Sequence, residues 1–185
     1  MYSDRKAAQV AAFFLLKSPN KRLEIVKLMK LLYLAERESI KRYHSPLLWD
    51  CMVSMPHGPV LSQTLDYING HLESSPDGWE DWISDRENHE VSLKKDITED
   101  DLTALSQADI ELLNDIWQRF GHMSSWELRK WTHKNCHEWE DPKGSAFPIP
   151  YERLLKVLGF DQDTSKNIIQ HIEEMRFIDD IFKQL

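Results

Sequence analysis

Cysteine is scarce: Cys51 and Cys136 are the only two in 185 residues. Two thiols so far apart in the chain build no disulfide framework, and they read as the reduced thiols of a cytoplasmic protein. Glycine is scarce too, six in all, and the single glycine of MPHGPVLS lacks the repeated spacing of a phosphate-cradling loop. No apolar run approaches the roughly 20 residues a bilayer span requires. The first apolar stretch, Val10–Leu16, follows Asp4 and runs into Lys17 and Pro19, where a secretory leader would carry small residues, so no signal peptide is expected. The HExxH pattern of zinc proteases is also missing.

What is present is a soluble composition, 41% hydrophobic and 29% charged, in a chain long enough to bury one sizeable core. Its charge is unevenly divided. Residues 1–60 hold ten Lys/Arg against five Asp/Glu, and residues 61–185 hold thirteen against twenty-six, giving the net −8. The acidic balance argues against nucleic acid and suits a basic protein partner, or serves solubility alone.

Periodicity of three and four runs through most of the chain and predicts a mainly α, compact helical domain. A first helix is capped by Ser3 or Asp4 and ends near Lys17. A second, Arg22 to Arg42, is apolar on most sides and therefore central; its narrow polar stripe of Lys27, Lys30, Arg37 and Lys41 reads as a solvated face. Pro59 in PVLSQTLDYINGHL is expected at the first turn of a helix ended by NG. A small β-hairpin is expected around residues 79–93, Trp79–Ile83 with Val91–Leu93. Ser106 with Asp109, and Ser124 with Glu127, sit at the starts of two further helices. DPKGSAFPIP is a linker, Tyr151–Leu158 a short helix, and a last helix from Asp161 or Asp163 to Leu185 carries Ile168, Ile172, Met175, Ile178 and Phe182 on one stripe.

Candidate chemistry is thin. His122, His133, Cys136 and His137 could begin a zinc site, with His133 and His137 one helical turn apart, and Cys136 could be a thiol nucleophile. Packing or capping roles explain the same residues. Trp117, Trp126, Trp131 and Trp139 are expected to build an aromatic core, not a base-stacking platform. The residues alone imply a helical interaction domain.

Two segments together resemble the SocA-like, or Panacea, antitoxin family. The first is KLMKLLYLAE, Lys27–Glu36, followed by HGPV, His57–Val60. The second is LSQADIELLNDIWQRFGHMSSWELRKWTHKNCHEW, residues 105–139, with its Thr132–His133 pair and Trp139. His57 stands where the family more often has an aromatic. The resemblance carries Lys27, Lys30, Leu31, Tyr33, His57, Gly58, Pro59, Thr132, His133 and Trp139 over as family-motif residues, structural or partner-binding, with none catalytic. It implies a helical antitoxin domain over residues 1–141, with a linker and C-terminal helical extension over 142–185. It further implies a cytoplasmic protein that neutralises a cognate toxin by direct binding or as a proteolytic adaptor, with no cofactor and no metal. Homo-oligomers and hetero-oligomers with toxin are both compatible with it. The competing expectations are a metal-dependent enzyme using the histidine–cysteine cluster, and a prophage-encoded regulator touching DNA through the Lys27–Lys41 stripe.

Overall fold

Two largely buried helices organise the chain, in a computed structural model that describes residues 2–183. The first, α1 (Asp4–Lys17), is capped by the Ser3 hydroxyl, which accepts from Lys6 N–H. Its four alanines, Ala7, Ala8, Ala11 and Ala12, are fully buried beside Phe13 and Phe14. The second, α2 (Ile25–Tyr43), packs against α1 and against several elements from later in the chain. Its apolar residues look in several directions, and its exposed residues are Val26 and, in the last turn, Lys41–Tyr43. Arg22–Glu24, expected to be the start of this helix, is instead strand β1, paired antiparallel with β4 (Glu90–Ser92). Asn20 and Lys21, both with positive φ, turn the chain just before it.

The HGPV segment departs most from expectation. β2 (Met52–Met55) and β3 (Gly58–Leu61) form an antiparallel hairpin around Pro56–His57, so Pro59 lies within a strand and not in a helix. Paired opposite Ser54, it leaves its missing N–H on the side away from the ladder that β2 continues to β5. Helix α3 (Ser62–Ile68) begins only afterwards. Its start is fixed from a distance: the buried Asp50 carboxylate accepts from Gln63 N–H, Thr64 N–H and the Thr64 hydroxyl, completing orphan donors of the first turn.

The hairpin expected around residues 79–93 is present only in part. Trp79–Trp82 is a short helix, α4, while Ile83 bridges Leu93 and Glu87 bridges Glu90. The capping boxes at Ser106 and Ser124 start α5 (Gln107–Phe120) and α6 (Ser125–Asn135) as expected. β5 (Phe147–Pro148) adds to the hairpin edge at Val53–Ser54. Helices α7 (Tyr151–Leu158) and α8 (Gln162–Phe182) come last; Gln184 and Leu185 lie outside the described residues. Ile149, Leu154, Leu155, Ile168 and Ile172 join the same core as α1 and α2. The fold is mainly α with small antiparallel sheets.

Candidate functional site

One face of α2 gathers the motif. Lys27, Lys30, Tyr33 and Arg37 recur at three and four residues, so they share a side of the helix. The expected solvated stripe is therefore mostly an inward-facing one, and only Lys41 of that set is exposed. Lys27 Nζ donates to the Gly121 carbonyl at 2.7 Å, closing the C-terminus of α5 with a cation. Lys30, 1% exposed, donates to the Pro59 carbonyl at 2.7 Å. Burial pushes its amine down to about 7 from the ordinary 10.5. Leu31, on another side of α2, is fully buried in the core.

Tyr33 and Arg37 converge on a carboxylate 101 residues beyond Arg37. Tyr33 Oη and Arg37 Nε each donate to Glu138 Oε1 at 2.7 Å, and Glu138 is fully buried. Burial and the neighbouring Glu138 raise the Tyr33 phenol well above its usual value. Trp139, the next residue, donates through Nε1 to the Met55 carbonyl at 2.9 Å, and its indole stacks on the His133 ring at 4.2 Å.

Gly58 explains its own identity. Its φ is +97°, a region open chiefly to glycine, and an added Cβ would lie 3.0 Å from the His133 ring and 3.1 Å from Thr132 Oγ1. Thr132 and His133 thus press on the hairpin together without bonding to each other. The Thr132 hydroxyl donates to the Arg129 carbonyl in its own helix, and His133 Nε2 is buried with no hydrogen-bond partner among the described residues. Burial, then the Arg129 guanidinium, hold the imidazole below its ordinary value. His57, at the hairpin tip, is exposed.

The histidine–cysteine cluster does not assemble. His122 and His137 are exposed while His133 lies against Trp139. No group of three or more His, Cys, Asp or Glu with metal-holding geometry occurs among the described residues. Burial pushes the Cys136 thiol up to about 12, opposite to the direction that activates a nucleophile. Nor do the four tryptophans form one aromatic core, since Trp126 is 61% exposed.

Beside the motif lies a cleft of about 530 Å³. The start of α2 (Ile25, Val26, Met29) and the hairpin (Met55, Pro56, Val60) give it apolar walls, and Lys30 and His57 reach its edge.

Most of these parts fall within a match to a known family. The family described as "Antitoxin SocA-like, Panacea domain" matches residues 28–140, more than half of the chain. The chain belongs to that family. No curated protein and no solved structure matches it. Residues 28–140 of the Panacea domain contain Lys30, Tyr33, Gly58, Thr132, His133 and Trp139, with Lys27 just outside. Glu138 and Arg37, which complete the buried network, were missed as site residues in the sequence. Glu138 is an unremarked acid in HEWED, and its partners lie a hundred positions upstream.

Proposed function

We propose that this protein is an antitoxin that neutralises a cognate protein toxin by direct binding, in the cytoplasm. Membership of the SocA-like antitoxin family carries the reading. The geometry supports a scaffold role for much of the motif: Lys27 ties α2 to the end of α5, Lys30 ties it to the β2–β3 hairpin, Tyr33 reaches Glu138, and Trp139 bonds the hairpin. Partner contact then falls to the surfaces the scaffold presents. The cleft between α2 and the hairpin, with Val26 exposed at 36%, offers an apolar side chain of the toxin an anchor pocket.

The test is co-expression with the neighbouring open reading frame. Growth arrest from the neighbour, relief by this chain, recovery of a stable complex and unchanged toxin level together mark direct neutralisation. Relief accompanied by loss of the toxin itself would instead mark delivery to a protease. A Val26→Asp variant that folds and still neutralises would remove the cleft from the interface.

A further inference from the structure

Two exposed surfaces of this chain, distant in sequence, carry opposite chemistry. α8 is 21 residues long, and the core covers only its first part, at Ile168 and Ile172. Arg176 ties its middle to the body, donating to Tyr151 Oη at 3.2 Å and lying over that ring. Beyond it Phe177, Ile178, Ile181 and Phe182 are 68%, 45%, 45% and 71% exposed. Four large apolar side chains on the closing turns of one helix make a contiguous patch, unlike the isolated exposures of an ordinary surface. The exposed carboxylates of Glu173 and Asp180 border it, with no ion-pair partner among the described residues.

The opposite surface is α6. Trp126, Lys130 and Lys134 form one exposed row at spacings of four. Lys130 Nζ sits 3.5 Å from the centre of the Trp126 ring. Arg129 and His133 border the same depression. None of Arg129, Lys130 and Lys134 has a carboxylate within ion-pair distance among the described residues. In a chain where 31 acidic residues face 23 Lys and Arg, three unpaired cations around an exposed tryptophan fit an acidic, apolar helix. α8 is one.

We propose that the protein forms a symmetric homodimer in which the α8 arm of each copy lies along α6 of the other. Within one copy the arm is held on α7 by Ile168, Ile172 and Arg176, so its outer turns face away from their own core. Reciprocal exchange is isologous and closes, leaving no arm free to propagate a chain of copies. Covering two Phe and two Ile in each of two arms, with the surfaces they touch, removes on the order of 1,000 Å² or more from water, within the range of specific interfaces. Glu173 and Asp180 then meet the unpaired cations across the contact, which fixes its register.

Sedimentation equilibrium of the full chain tests this without any toxin, independently of the antitoxin reading. The expected mass is twice 21.9 kDa, falling as salt is raised. Phe177→Glu with Phe182→Glu should give a monomer whose melting temperature is unchanged, because both side chains are exposed. Lys130→Glu with Lys134→Glu, and separately Glu173→Lys with Asp180→Lys, should each be monomeric alone and dimeric when mixed, since both contacts are then complementary again. A monomer at about 100 µM would overturn the proposal, as would a dimer indifferent to these substitutions. A monomer whose Phe177/Phe182 variant loses the toxin would also overturn it, assigning the arm to the toxin instead.

Discussion

Gly58 and Gly70 both have positive φ, +97° and +71°, yet of the two only Gly58 is crowded; among the described residues nothing would lie within 4 Å of a Cβ at Gly70. Gly70→Ala should therefore lose only the backbone term, about 1–2 kcal/mol. Gly58→Ala should lose that and the further strain of displacing His133 and Thr132. Chemical unfolding of both variants measures the gap, and His133→Ala in the Gly58→Ala background should recover part of it. Lys30 gives a second residue-scale expectation. Its folded amine titrates near 7 and the unfolded one at 10.5. Between those values the unfolded chain holds the extra proton, so stability from this group rises with pH and is lost as pH falls toward 7. The stability of wild type minus that of Lys30→Met should grow by about 1.4 kcal/mol per pH unit in this window. It should be flat below it. The raised Cys136 thiol pulls the other way above pH 9 but is present in both chains. Urea titrations at neutral and alkaline pH would show a constant difference if Lys30 were not a buried amine.

Among the elements, the network of α2 with the segment after α6 is the joint that holds two halves of the domain. Glu138→Ala leaves the buried Tyr33 hydroxyl and the half-buried Arg37 guanidinium without their acceptor, and should cost about 3–5 kcal/mol. Replacing Glu138 by Leu together with Arg37→Met should cost much less, since no buried charge is left alone. Thermal melts of the two variants separate a solvent-shielded ion pair from a surface one. The same joint shows where the sequence is legible and where it is not. Ser106 with Asp109 and Ser124 with Glu127 announce their helices, because a capping box is written within four residues. The Lys27–Arg37 face reads as solvated because its acceptors, the Gly121 and Pro59 carbonyls and Glu138, are distant in the chain. Gly58–Pro59 resembles a helix start for a related reason. The pairing that makes it a strand comes from Met52–Met55, and that of β2 from Phe147–Pro148, a partner no local pattern indicates. The family motif was legible as a pattern, but its physical content, a clamp on a hairpin, appears only in three dimensions.

For the whole molecule the question is where the folded unit stops. The Panacea match ends at residue 140, yet β5 pairs with the central hairpin, and Leu154, Leu155, Ile168 and Ile172 are buried in the same core as α1 and α2. Removing residues 160–185 takes away Ile168 and Ile172 and uncovers α7 beneath them. Full burial of each such side chain contributes about 1.5–3 kcal/mol. Their joint loss, with newly exposed leucines, is a large share of the roughly 5–15 kcal/mol that holds a domain together. Loss of neutralisation by that chain would then report unfolding, not a missing contact. Ending the chain after Arg176 removes Phe177, Ile178, Ile181 and Phe182, all exposed, and keeps the tie to Tyr151. Its melting temperature should match that of the full chain, while removal from residue 160 should lower it by well over 10 °C or leave no cooperative transition. If both truncations melt like the full chain, α8 does not belong to the core, and the folded unit ends before it.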